Sequence, residues 1–371
     1  MSTWGRVNLG SVCQFRYGKS LPAKARSGSS FPVVGSGGVV GYHDQALLNG
    51  PGIVVGRKGS IGSVTWLDDP YWPIDTAYYI ETDPALIDLR YLFHALKSLP
   101  LESMNKSAAI PGLNRDDAYR LEITLPPLDE QRRIADILDR ASELQTKVAS
   151  RDSLLREFLS SSFHDISTNY PAKSTPLGKI CTTKPDYGLS HPSQDYSPTA
   201  GRYIRITDID NHGYLKESAV SPNIESHGTP AIDKRLEDGD LLIARSGATV
   251  GKPFLYRKEA LGNEDHWFAG YLVRFKIDSD IICPEIVFDF LRSPAYKRWV
   301  KLNQTVSAQP NISAKTFSER LLIPVLPTEA TLKYLSIRKK VFSALEAARN
   351  QVAELDELYN SLATRAFAGE L

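Results

Sequence analysis

Ile53-Val-Val-Gly-Arg-Lys-Gly-Ser-Ile-Gly62 and Leu241-Leu-Ile-Ala-Arg-Ser-Gly-Ala-Thr-Val-Gly251 follow one pattern: a short apolar run, then a glycine-punctuated turn carrying a cation. An apolar run bounded by turn residues reads as a strand, and glycine permits the tight curvature after it. The likeness extends both ways. Upstream, Trp4-Gly-Arg-Val-Asn-Leu-Gly-Ser-Val-Cys13 corresponds to Thr175-Pro-Leu-Gly-Lys-Ile-Cys181. Downstream, Leu121-Glu-Ile-Thr-Leu-Pro-Pro-Leu128 corresponds to Leu321-Leu-Ile-Pro-Val-Leu-Pro327, and each half ends in a long helical pattern, closing on Phe163 and on Phe367. The blocks keep their order while the offset between them grows. The second half therefore carries insertions, mostly between residues 185 and 240. Such self-similarity predicts a duplicated chain.

The expected order is globular, helix, globular, helix. The first domain spans 1–128, a central spacer helix 129–165, the second domain 166–328 and a C-terminal spacer helix 329–371. Residues 166–175 hold Ser, Thr, Asn and Pro and read as a linker. Within the domains, apolar runs such as 31–34, 52–55, 63–66, 77–80, 203–206, 240–243 and 271–275 read as strands. Residues 91–97 and 285–291 read as helices after the sheets. The fold class is mixed α/β (α+β), internally duplicated, with two long helices forming an antiparallel coiled coil.

That pairing comes from the helical patterns. Ile134, Ile137, Ala141, Leu144, Val148, Arg151, Leu155 and Phe158 are separated by alternating steps of three and four, a heptad seam with one charged break. Val341, Leu345, Ala348, Val352, Leu355, Tyr359, Leu362 and Ala366 repeat the pattern. Prolines precede both helices, where they are tolerated, and Asp129, Glu130 and Glu329 place acid at the positive helix ends. Neither stripe is stable facing water, and each is the nearest partner for the other. About 35 helical residues make a strut of roughly 50 Å. The competing arrangement docks each helix on its own domain.

The chain has 371 residues, a formal net charge of +1, 42% hydrophobic residues and three cysteines. The near-neutral charge excludes a uniformly basic polymer binder. The odd, scattered cysteines exclude a disulfide scaffold and suit a reducing cytosol. No apolar run approaches the roughly 18 residues that span a bilayer. Charge is uneven: residues 1–60 carry Arg6, Arg16, Lys19, Lys24, Arg26, Arg57 and Lys58 against Asp44 alone. Residues 292–318 carry Arg292, Lys297, Arg298, Lys301 and Lys315 with no acid. Local basic faces attract phosphate even when the total is neutral.

Three loop groups are candidates for nucleic-acid contact. The glycine turns offer Arg57, Lys58 and Ser60 in the first half and Arg245, Ser246, Thr249 and Lys252 in the second. A loop before the last strand of each half, 106–115 and 305–315, offers Asn114 and Arg115, then Gln309, Asn311 and Lys315. Asn, Gln and Arg are the types that read base edges bidentately. Lys19 and the turn from Gly35 to His43 complete the set. An ordinary solvated loop accounts equally for each.

No catalytic set is found. Gly247 to Lys252 is one residue short of a phosphate-binding P-loop, and Pro253 stands where the metal-binding hydroxyl belongs. Asp69-Pro70-Tyr71-Trp72 lacks the second proline of an adenine-methyltransferase motif, and no cofactor loop accompanies it. The histidines show no metal-ligand spacing.

Ile123-Thr-Leu-Pro-Pro-Leu-Asp-Glu-Gln-Arg-Arg-Ile-Ala-Asp-Ile-Leu138 resembles the segment that ends a target-recognition domain and opens the spacer helix in specificity subunits of type I restriction–modification systems. The stretches 240–252 and 307–313 resemble recurrent segments of the same domains. The second half departs from the pattern at Pro327-Thr-Glu-Ala330, which lacks the Glu-Gln pair. The resemblance implies a non-catalytic, cytoplasmic subunit that reads a bipartite site in double-stranded DNA. It implies docking of two methyltransferase subunits through Glu130, Gln131, Arg132, Leu155 and Leu355, and indirectly of a motor–nuclease subunit. The chain would then hold no cofactor or metal; S-adenosylmethionine, ATP and magnesium would belong to the partners. The rival reading is a tandem-domain protein scaffold without DNA.

Overall fold

The computed structural model describes residues 4–105, 112–210, 212–216, 218–262, 264–305 and 309–371. The chain forms two compact units, Met1–Arg151 with Ala347–Leu371, and Asp152–Glu346. The divisions fall inside the two long helices, so each unit contains a stretch of both.

Unit 1 contains β1 (Arg6–Asn8), β2 (Cys13–Tyr17), β3 (Phe31–Gly35), β4 (Gly38–His43), β5 (Gly52–Gly56), β6 (Val64–Leu67), β7 (Trp72–Pro73), β8 (Ala77–Thr82) and β9 (Glu122–Thr124). Its helices are α1 (Leu89–Ser98), α2 (Arg115–Tyr119) and the first part of α3 (Leu128–Asn169), joined by the last part of the helix Thr328–Ala368. The main sheet has the order β2-β8-β5-β6, all antiparallel. β5 is buried on both faces, which explains its unbroken Ile53-Val54-Val55 run. A second sheet, β4-β3-β7, lies beside it, and β1 pairs with β9. Asp88 caps α1 by accepting from the amides of Arg90 and Tyr91.

Unit 2 contains β10 (Lys173–Pro176), β11 (Asp186–Tyr187), β12 (Ser193–Asp195), β13 (Arg202–Ile204), β14 (Val220–Pro222), β15 (Asp240–Ala244), β16 (Pro253–Leu255), β17 (His266–Phe268), β18 (Leu272–Lys276) and β19 (Leu322–Val325). Its shorter helices are α4 (Ile224–His227), α5 (Pro284–Phe290), α6 (Pro294–Asn303) and α7 (Ala314–Arg320); the rest of α3 and the first part of α8 (Thr328–Ala368) complete it. The main sheet, β11-β18-β15-β16, has the strand order of unit 1, and β10 pairs with β19 as β1 does with β9. Small details recur. Leu9 and Leu177 donate their amides to Leu121 and Leu321, each at 2.8 Å.

Within unit 1 the core joins Leu9, Phe15, Ile53 and Tyr91 to Ile134 and Leu138 of α3 and to Tyr359, Ala363 and Ala366 of α8. Within unit 2 it joins Leu241, Ile243, Phe275 and Phe317 to Leu159, Phe163 and Ile166 of α3 and to Tyr334, Val341 and Leu345 of α8. Early α3 thus meets late α8, and late α3 meets early α8: in each unit the helices run antiparallel, packed both on each other and on the domain. Buried polar contacts fasten them. His94 of α1 lies 2.8 Å from Asp139 of α3 and 2.8 Å from the Tyr359 hydroxyl of α8. In unit 2, Asp289 of α5 accepts from Tyr334 at 2.8 Å and from Arg338 at 2.7 Å.

Two expectations are corrected. Residues 166–175 are no linker: α3 continues to Asn169, and Lys173–Pro176 is β10. Polar composition misled there because a strand paired at one edge needs few apolar side chains. On α3, Ile134 and Ala141 are buried and Val148 and Leu155 half-buried as the spacing predicts, but the alternate positions are shifted by one, to Leu138, Gln145 and Leu159; Leu144 and Phe158 are exposed, Phe158 by 55%. The domain cores claim Leu138 and Leu159. Gln145 sits in the row because its amide donates to Asp356 at 2.8 Å and to the Leu355 carbonyl at 3.4 Å. The α8 stripe is as the spacing predicts, with Val341, Leu345, Ala348, Tyr359 and Ala366 buried. Among the described residues, no helix is long and apolar enough to cross a membrane.

Candidate nucleic-acid interface

In unit 1, β2 ends at Tyr17 and β5 at Gly56, at the same end of the main sheet with β8 between them. Arg57 follows β5 directly. Its amide donates to Thr76 at 3.0 Å, and its carbonyl accepts from Leu113 at 2.9 Å. These bonds set the backbone, and the guanidinium lies over the Tyr17 ring, 5.0 Å from its centre. Arg115 approaches the same ring at 5.5 Å. The turn closes through Gly59 (φ 83°) and Gly62 (φ 75°), the left-handed region that glycine adopts without strain. Lys58 and Ser60 are exposed at its tip. Tyr17 packs against Tyr78, whose hydroxyl donates to Leu113 at 3.1 Å and whose ionisation burial pushes up to about 12.

The other candidates of unit 1 divide. Lys19 is exposed, with its ammonium 5.8 Å from the Trp72 ring centre. His43 is half-buried against the edge of Trp72, and its Nδ1 accepts from the Ser27 amide at 3.1 Å, which makes it a brace for the β3–β4 hairpin. Asn114 caps α2, accepting from the Asp116 amide at 2.9 Å, so its carbonyl oxygen is already used. The first part of its loop, 106–111, lies outside the described residues.

Unit 2 rebuilds the arrangement. Tyr187 ends β11, Arg245 follows β15, and the guanidinium lies 4.8 Å from the ring centre. The Arg245 amide donates to Tyr271 at 3.0 Å and its carbonyl accepts from Ile312 at 2.8 Å. Gly247 and Gly251 again have positive φ. Ser246 bridges to Asn311, and Gly247 donates to the Pro310 carbonyl at 2.9 Å, so the two candidate loops meet here. Asn311 donates its amide to Thr305 at 3.0 Å. Gln309 is exposed beside residues 306–308, which lie outside the described set. Thr249 sits at the half-buried end of the turn, and Lys315 is exposed on α7 near Glu319. Lys252 departs from expectation: its ammonium donates to the Ile209 carbonyl at 3.0 Å, tying the turn to the segment before β14.

Sequence reasoning missed Tyr17 and Tyr187. The signal was present, as Tyr17-Gly18-Lys19-Ser20 and Tyr187-Gly188-Leu189-Ser190. Each glycine is wedged against a crossing chain: a Cβ on Gly18 would lie 2.3 Å from the Ile74 carbonyl, and one on Gly188 2.1 Å from that of Phe268.

Among the helix residues, Gln131 is corrected as a partner contact. It is 1% exposed. It accepts from the Asp88 amide at 2.7 Å and donates to the carbonyls of Pro126 and Leu86, clamping α3 to the domain it leaves. Glu130 pairs with Arg133 at 2.7 Å, and that guanidinium holds its carboxyl below the ordinary range. Arg132 is exposed, within 4.0 Å of Asp88 and 3.4 Å of Asp129. Leu155 and Leu355 are half-buried.

Residues 1–151 match the type I restriction modification DNA specificity domain. The chain is 22% identical over 358 residues to the MjaVIII specificity subunit of Methanocaldococcus jannaschii, a match covering 90% of this chain and 80% of that one. It is 25% identical over 149 residues to the EcoprrI specificity subunit of Escherichia coli, covering 38% of this chain and 37% of that one. The S subunit of the type I restriction–modification system from M. genitalium has a similar fold, with TM-score 0.55 at 18% identity, covering 99% of this chain and 96% of that one. The chain is thus similar over residues 1–151 to the type I restriction modification DNA specificity domain, and over most of its length to a specificity subunit of such a system.

Proposed function

We propose that this chain is the non-catalytic DNA-reading subunit of a type I restriction–modification complex and that its two units read the two halves of a bipartite site. The observation that carries the reading is the same cation-bearing turn, built at the same end of the main sheet, in both units. Matching strand orders support two copies of one target-recognition domain, and the antiparallel helix contacts in each unit support a coiled-coil spacer. Two readers in one chain suit a split site at fixed spacing, and their different sequences predict different half-sites.

In this function two methyltransferase subunits dock along the helices in the cytoplasm, and a motor–nuclease subunit joins through them. Those partners bring S-adenosylmethionine, ATP and magnesium. Leu154 and Phe158, one turn apart and exposed on α3 in unit 2, support docking there; surface apolar pairs of this kind favour a protein partner. The test is to map methylated adenines in cells with and without the chain. A split motif that disappears with the chain is expected. Methylation unchanged by deletion, with purified protein binding duplex indifferently to salt, would favour a protein scaffold instead.

A further inference from the structure

The Tyr–Arg stack is the part of the candidate interface that recurs, and its surroundings are the part that does not. Between Tyr17 and β5, unit 1 places the β3–β4 hairpin. Between Tyr187 and β15, unit 2 places β12, β13, β14 and α4. Two readers of different sequences cannot be told apart by what they share. A shared contact is suited to the part of DNA that is the same everywhere.

The chemistry of the stack agrees. Tyr17 is 53% exposed and Tyr187 40%. Among the described residues neither Arg57 nor Arg245 has an ion-pair partner, whereas Arg16 pairs with Glu81 at 2.7 Å and Arg274 with Asp186 at 2.9 Å. A guanidinium laid on a ring loses little further rotamer freedom when it binds, and it offers only donors. Phosphate oxygens accept from arginine and from tyrosine hydroxyls alike.

We infer that Tyr17 with Arg57, and Tyr187 with Arg245, are a matched pair of grips on the phosphodiester backbone, one in each unit, that hold duplex DNA regardless of its sequence. Base discrimination then falls to the segments that differ. In unit 1 the tip of the β3–β4 hairpin lies against the Arg57 turn: Ser36 Oγ is 3.3 Å from where a Cβ on Gly59 would stand. This inference rests on the DNA-reading function above and adds which residues do not choose the sequence.

The experiment uses the full chain, a fixed 40-base-pair duplex of arbitrary sequence titrated across a salt series, and a randomised duplex pool from which bound sequences are recovered. Replacing Arg57→Gln and Arg245→Gln together should weaken binding to the fixed duplex about tenfold or more and lower the slope of log affinity against log salt by about two. The motif recovered from the pool should stay the same. Arg57→Lys with Arg245→Lys should keep the slope and recover only part of the affinity, because the charge remains while the flat stack is lost. A motif relaxed at particular positions would make these residues base readers and overturn the inference. So would unchanged affinity and slope in a variant whose parent binds DNA with strong salt dependence. A parent chain that binds no duplex would remove the DNA-reading function and this inference with it.

Discussion

His94 and His266 are each buried within one unit, with no exposed side-chain surface. Burial lowers the pKa of both below the ordinary 6.5, outweighing Asp139 beside His94 and Glu264 near His266. The folded chain thus binds these protons less readily than the unfolded chain. Stability is undiminished above about pH 6.5 and declines as pH falls from there toward the lower folded values. Urea unfolding at pH 7.5 and pH 5.5 measures the loss. Replacing His94→Gln and His266→Gln together should make the difference between the two pH values smaller than in the parent. An equal or larger difference would show that other groups carry it.

At the scale of elements, α3 shows how a seam is chosen. Periodicity of three and four picks out a helix but fits two adjacent rows, 137-144-151-158 and 138-145-152-159. The apolar content favours the first, which contains Leu144 and Phe158. The structure uses the second because Leu138 and Leu159 enter the domain cores and Gln145 finds polar partners on α8. Leu159, 4% exposed, therefore matters to unit 2 in a way its neighbour Phe158 does not. Leu159→Ala should cost about 2–5 kcal/mol in chemical unfolding, the usual range for emptying a buried leucine. Phe158→Ala should change the stability of the isolated chain by less than about 1 kcal/mol, and any larger defect should surface only in assembly with the proposed methyltransferase partner. If Phe158→Ala destabilised the lone chain as much as Leu159→Ala, the assigned row would be wrong.

At the scale of the whole molecule, unit 2 is one continuous piece of chain, Asp152–Glu346, but unit 1 is not. Unit 1 needs Ala347–Leu371 as well as Met1–Arg151. Tyr359, Ala363 and Ala366 lie in its core, Thr124 donates to the Phe367 carbonyl at 2.6 Å, and Phe367 packs on Tyr91. Ending the chain after Glu346 removes these contacts and exposes buried apolar surface. Thermal melting should show unit 1 destabilised by several kcal/mol, and a peptide of residues 347–371 added in trans should restore part of it. A truncated chain melting like the parent would mean that the last helical stretch is dispensable.

From the sequence alone, heptad spacing located the long helices and the α8 stripe, apolar runs located the central strands, and matching blocks in one order predicted a duplication. These are properties of neighbouring residues, and local periodicity records them. It did not determine the row by which α3 packs, the strand hidden in the polar stretch at 173–176, or the buried clamp of Gln131. Only the tertiary structure brought Tyr17 under Arg57 and Tyr187 under Arg245. Each pair is assembled from strands far apart in the chain, and which side chains meet at the end of a sheet depends on register and closure, which no local pattern encodes.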